Sequence, residues 1–372
     1  MTGSGAPPID GLFHAMCAAG ASDLHLSVGS PPIVRKDGQM QSLDPSASPL
    51  CADGLMALLA PILPDRNRVE YQARHDTDFA YEIPDLARFR VNVFADRNGP
   101  GAVFRVIPTR ILTAEHLGLS PAILQLCQLN KGLVLVTGPT GSGKSTTLSA
   151  MIDYINRTRR DHIITIEDPI EFVHPNKQCL INQREVRTHT DSFKDALRAA
   201  LREDPDIVLV GELRDLETVA IAIETSETGH LVFGTLHTTT AASTVDRVID
   251  QFSADRQAQI RVMLSESLRA VIAQTLCRKI GGGRIAALEV LIATPAISNL
   301  IREGKTFQIP SIMQVNRAAG MVGLNDALLD LVRGKLVAPD EAYAKSVDKI
   351  SFEALLKRAG FDPRPRPQPA HA

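Results

Sequence analysis

Two patterns of apolar and polar positions divide the chain. Near the start, Ile9, Leu12, Phe13 and Met16 recur at helical spacing over residues 9–20, and Gly20 closes the run. Short strand-like pieces follow at 24–26, 32–35, 79–81, 89–94 and 102–106, with Asp37-Gly38 and Asn98-Gly99-Pro100-Gly101 as hairpin-type turns. Residues 53–63 and 65–74 read as helices between them. Residues 1–107 are therefore expected to form a small α+β domain with an antiparallel sheet. Pro108 breaks the last strand, and residues 108–118 read as a linker.

From Leu119 the pattern changes. Near-continuous apolar runs at 133–137, 163–166, 207–210 and 231–235 alternate with helical segments, notably 146–154, 193–202 and 216–225. Strands that are apolar on both faces and separated by helices predict a parallel sheet covered on both sides. A further strand at 285–292 gives way to helices. Residues 119–372 are thus expected to form an α/β domain whose C-terminal part, from about 294, is helical. The tail from about 362 alternates Pro with Arg and Gln and is expected to be disordered.

Composition changes this picture only in places. A length of 372 residues suits two domains. The net charge of -2, with no Trp and four Tyr, supplies neither a basic surface nor stacking platforms, so no nucleic acid is expected as a partner. No apolar run approaches the roughly 20 residues of a membrane span, and residues 1–8 lack the basic and apolar regions of a signal peptide. A cytoplasmic location is expected. The five cysteines form no C-x-x-C pair, which points to buried thiols rather than a zinc or redox site.

Candidate chemistry gathers where the apolar runs end. Gly138-Pro139-Thr140-Gly141-Ser142-Gly143-Lys144-Ser145 fits G-x-x-x-x-G-K-[ST], between an apolar strand and a helix that takes in Thr146. The glycines let backbone N–H groups turn inward around a polyphosphate, Lys144 can reach the β- and γ-phosphates, and the Ser145 hydroxyl can ligate Mg²⁺. Residues 138–146 are the expected nucleotide site.

Glu167, Asp168 and Glu171 follow the strand at 163–166. Three carboxylates so close repel one another unless a cation is near, and Mg²⁺ brought with the nucleotide would serve. The run 207–210 followed by Gly211-Glu212 is Walker B-like, with Gly211 in place of the usual terminal Asp. Glu212 can orient Mg²⁺-bound water or activate the attacking water. His230 and His237 bracket the strand at 231–235 and stand too far apart to share a metal. At its strand end, His237 can report the γ-phosphate state by hydrogen bonding. Ser145, Glu167 and Glu212 are the candidate Mg²⁺ residues.

Together these motifs resemble the secretion ATPase superfamily, with its Walker A, acidic Asp box, Walker B ending in Glu, and His box. Residues 21–26 (ASDLHL), 182–186 (NQREV), 199–206 (AALREDPD), 227–239 (ETGHLVFGTLHTT) and 281–284 (GGGR) look like the type IV pilus retraction ATPases, the PilT family. The likeness runs from roughly residue 9 to residue 360.

That resemblance implies an ATP-hydrolysing motor, with Mg²⁺, that disassembles pili and so drives twitching motility. It implies a homo-hexamer whose subunits each have an N-terminal PAS-like domain and a C-terminal RecA-like P-loop ATPase domain with a helical extension, the nucleotide lying in the cleft between the domains. Arg90 and Arg105, on strands entering the linker, match the family's arginines that sense or neutralise the triphosphate, a role that suits a guanidinium. The implied setting is the cytoplasmic face of the inner membrane, with a pilus platform protein and a paralogous retraction ATPase as partners.

The family's retraction motif, A-I-R-N-L-I-R-E, here reads A-I-S-N-L-I-R-E over residues 296–303. Ile297, Leu300 and Ile301 keep the packing face, while Ser298 removes one positive charge. That change admits an accessory retraction paralogue. Pilus extension, type II secretion and a slow nucleotide switch are the other readings, although the long N-terminal region and four-cysteine zinc element usual in extension and secretion motors are not seen.

Overall fold

The structure is a computed structural model that describes residues 6–36, 38–107 and 111–362. The chain divides into two compact units, Met1–Arg110 and Ile111–Ala372. In the first, the helical pattern gives Asp10–Ala18, with Phe13 and Met16 buried, and helices Ala52–Leu59 and Asp65–Arg74 follow. Strands β1 (Asp23–Ser27), β2 (Ile33–Lys36), β3 (Gln39–Ser42), β4 (Asp76–Ile83), β5 (Ala87–Asp96) and β6 (Gly99–Ile107) form a sheet in the order β3-β2-β1-β6-β5-β4. Every pairing in it is antiparallel. Against one face Phe13 stacks on Phe89 at 4.3 Å between ring centroids and meets Phe104 edge-on at 5.0 Å.

Two local features depart from the sequence pattern. β3 is a polar, exposed strand and so carries no apolar alternation to announce it. The turn expected at 98–101 falls instead at Arg97-Asn98. Asp96 Oδ1 accepts from the N–H groups of Asn98 and Gly99 at 2.7 and 3.2 Å, which frees Gly99 to Gly101 to pair as strand. A Cβ at Gly101 would come within 2.7 Å of the Phe94 ring, so any other residue there would require that ring to move. Asp37 of the other expected turn lies outside the described residues.

In the second unit, β7 (Gly132–Thr137), β8 (His162–Glu167), β9 (Leu180–Glu185), β10 (Ile207–Val210), β11 (Leu231–Leu236), β12 (Leu268–Arg278) and β13 (Arg284–Ile292) form a sheet in the order β13-β12-β7-β11-β10-β8-β9. Only the β12–β13 pair is antiparallel. β7 shows why both faces must be apolar: Leu133 and Leu135 enter one core, Val134 and Val136 the other. Helix Lys144–Thr158 closes the second core with Leu148, Met151, Ile152 and Ile155. Helices Phe193–Ala200, Leu216–Glu227, Ala241–Asp250 and Ala254–Ser267 close the first.

β9 and β12 are additions to the expected strands. β12 follows its helix with neither Gly nor Pro between them, so the apolar run at 268–278 has no boundary signal. Within the expected linker, residues 108–110 lie outside the description, while Ala114–Leu117 is a helical turn capped by Thr113. The expected tail beyond Asp362 also lies outside it.

After β13 come helices Pro295–Arg302, Ile309–Val315, Leu324–Arg333, Pro339–Lys345 and Lys349–Arg358. Glu289, buried on β13, accepts from the N–H groups of Ala241 at 2.6 Å and Leu324 at 3.0 Å, the first residues of two helices. Burial raises its pKa, and the two positive helix ends oppose that rise. No helix among the described residues is long and apolar enough to cross a membrane.

Phe13→Ala removes the ring at the centre of the first unit's aromatic cluster and is expected to destabilise that unit by about 3–5 kcal/mol. An unchanged urea midpoint for the first unit would contradict the packing described.

Candidate functional site

Four consecutive strands of the second sheet, β7-β11-β10-β8, run parallel, so their carboxyl ends share one edge. That edge carries the phosphate-loop motif after β7, His237 after β11, Gly211-Glu212 after β10 and Glu167 at the end of β8. His230, at the opposite end of β11, bonds the Thr225 carbonyl and takes no part.

The loop's glycines are conformationally required. Gly138 has φ 142°, and a Cβ there would stand 2.3 Å from the Gln274 carbonyl oxygen. Gly143, at φ 89°, starts helix Lys144–Thr158 with no side-chain cap, which leaves the positive helix end to a ligand. Lys144 Nζ donates to the carbonyls of Gly138 at 2.8 Å and Pro139 at 3.3 Å. Burial lowers its pKa, against the opposing charges of Glu212 and Glu171, which places those carboxylates within electrostatic reach of the loop. Pro139, Thr140 and Gly141 are exposed, Ser145 and Thr146 half-buried. The Ser142 hydroxyl is buried without a hydrogen-bond partner among the described residues.

Glu212 is held from two sides. His237 Nε2 lies 2.9 Å from its Oε1, and Arg214 Nε donates to the same oxygen at 2.7 Å. Burial pushes this carboxyl up, but the bonds and charge that Arg214 and then His237 bring to it outweigh that and hold the pKa below its ordinary value. Glu167 has the opposite character. Its Oε1 accepts from Thr165 Oγ1 at 2.6 Å and Gln183 Nε2 at 3.1 Å, and burial pushes its pKa up to about 7. At Gly211 a Cβ would stand 3.0 Å from the Ile166 carbonyl oxygen and 3.2 Å from Glu167 Cα, so a side chain at the end of β10 would crowd β8.

Ser145, Glu167 and Glu212 offer only oxygen donors, which suits Mg²⁺, an ion held by few protein carboxylates together with phosphate and water. No group of three or more His, Cys, Asp or Glu among the described residues gathers as a metal cage.

Arg90 and Arg105 belong to the first unit, where they face each other across β5 and β6. Arg105 Nε donates to Asp23 Oδ1 at 2.8 Å, and Arg90 is exposed without a hydrogen bond or ion pair among the described residues. Burial raises the Asp23 carboxyl, but bonds from Ser22 and Arg105 bring it below its ordinary value.

Sequence reasoning missed Gln274 and Arg214. Gln274 on β12 donates through Nε2 to the Ser142 carbonyl at 2.6 Å. The available signal was a Gln within an otherwise apolar stretch. Arg214 stands two residues from Glu212 in the chain, and no motif in the sequence singles it out.

The chain matches the family described as Type II/IV secretion system protein over residues 6–284. It is 55% identical over 327 residues to the type IV pilus retractation ATPase PilT of Pseudomonas aeruginosa, covering 88% of this chain and 94% of that one. To the type IV pilus ATPase PilU of the same organism it is 37% identical over 347 residues, covering 93% and 90%. A crystal structure of the pilus retraction motor PilT with bound ADP is similar with a TM-score of 0.87 and 45% identity, covering 94% of this chain and all of that one.

A Glu167 pKa of about 7 lies above the ordinary 4.5, so the folded chain keeps a proton that the unfolded chain releases between those values. Stability therefore falls as pH rises through that window. Glu167→Gln, which cannot ionise, is expected to exceed the parent's stability by about 1–3 kcal/mol at pH 8 and by little near pH 4.5. Chemical denaturation at both pH values, without nucleotide, tests this; an equal difference at the two would refute it.

Proposed function

We propose that this chain is an ATP-hydrolysing motor that retracts type IV pili; the premise is that it belongs to the type II/IV secretion system protein family. The observation that carries the reading is the row at one sheet edge, phosphate loop, His237, Glu212 and Glu167, in that order. Such an edge is where open α/β sheets bind ligands. Identity of 55% to a PilT against 37% to a PilU favours the principal retraction motor over an accessory paralogue, Ser298 notwithstanding.

In this reading, backbone N–H groups of residues 138–146 and the uncapped helix end hold the β- and γ-phosphates of ATP. Lys144 exchanges two neutral carbonyls for phosphate oxygens, which are stronger partners for an ammonium. Ser145, Glu167 and Glu212 would hold Mg²⁺, which neutralises charge on the phosphate oxygens when bound. Glu212, oriented through Oε1 by His237 and Arg214, positions the attacking water. His237 is thereby tied to whatever Glu212 contacts. Arg90 and Arg105, on a PAS-like first unit, neutralise the triphosphate, Arg105 by leaving Asp23. The second unit is RecA-like in the same reading. Six identical subunits in a ring, working from the cytoplasm on an inner-membrane platform protein, would turn hydrolysis into pulling.

Glu212→Gln is expected to lower steady-state ATP turnover at least ~100-fold while nucleotide binding persists; turnover within threefold of the parent removes the role assigned to Glu212. Deletion in the source organism is expected to leave cells with surface pili and no twitching. Cells without pili would assign extension instead.

A further inference from the structure

Gln274 is buried on β12 with 3% of its surface exposed. Its backbone carbonyl forms the wall behind Gly138, and its Nε2 lies 3.1 Å from where a Cβ at Gly143 would stand. The same nitrogen donates to the Ser142 carbonyl at 2.6 Å. One residue therefore braces both ends of the phosphate loop.

The direction of that bond matters. The peptide joining Ser142 to Gly143 is planar, and in a trans peptide C=O and N–H point to opposite sides. Anchoring the Ser142 carbonyl outward on Gln274 turns the Gly143 N–H inward, toward the space the loop encloses. No backbone acceptor for that N–H occurs among the described residues.

Gln274 Oε1 is buried without a hydrogen-bond partner among the described residues. An unpartnered buried amide oxygen is unfavourable. An apolar side chain of the same length would fill the space without that penalty. What the amide adds is its N–H on the Ser142 carbonyl.

We propose that Gln274 is a positioning residue for nucleotide binding: it fixes the Ser142–Gly143 peptide so that the Gly143 N–H is presented to a phosphate oxygen. The inference rests on the nucleotide reading of the loop. Gln274→Met keeps length and apolar contact but has no N–H to give. Gln274→Glu keeps the shape and places an acceptor where the donor was.

The test is equilibrium titration of the purified full chain with a fluorescent ADP analogue, alongside ATP turnover and thermal unfolding without nucleotide. Gln274→Met is expected to weaken ADP binding about tenfold, the value of one buried hydrogen bond. It should raise KM for ATP by a similar factor, leave kcat within about threefold, and leave the nucleotide-free unfolding midpoint unchanged or higher. Gln274→Glu should weaken binding at least as much, and it decides the matter if the Met variant does not fold. A parent that binds no ADP would overturn the nucleotide reading itself. A parent that binds, with both variants binding equally well, would overturn this inference alone.

Discussion

The second unit depends on one constraint: β7, β11, β10 and β8 run in the same direction. Hydrogen-bonded strands lie about 4.8 Å apart, so groups at neighbouring carboxyl ends start within side-chain reach of one another. That spacing lets His237 reach Glu212 across adjacent strands. It also sets limits. A Cβ at Gly211 would crowd β8, at 3.0 Å from the Ile166 carbonyl oxygen, and the carboxylate stands one residue further on, at Glu212.

What the sequence made legible was local. The phosphate loop is eight contiguous residues, and each acidic or histidine motif follows its own apolar strand, so chain order alone located them. The alternation of apolar runs with helices likewise announced the parallel sheet. Groups whose meaning lies in a distant partner were hidden. Gln274 acts on Ser142, 132 residues away, and Arg105 on Asp23, 82 residues away. β12 was missed for a different reason: the strand continues directly from a helix, with no Gly or Pro between them to mark a turn.

Glu289 illustrates how a carboxyl group is accommodated in the core of such a fold. The carboxyl oxygens accept from the first N–H of two helices, so two partial positive ends meet at one acidic group. One of those helices follows the His237 segment, and the other belongs to the C-terminal helical part. A polar group in the core therefore fixes where both begin, a register that apolar packing alone would leave loose.

Glu212 is bound asymmetrically, with both of its donors on Oε1. The carboxylate consequently has a fixed end and a working end. Rotation about its terminal torsion would break two charge-assisted bonds at once, so Oε2 is presented in a single direction with little freedom to wander. Anything that meets this group meets an acceptor whose aim was set before it arrived.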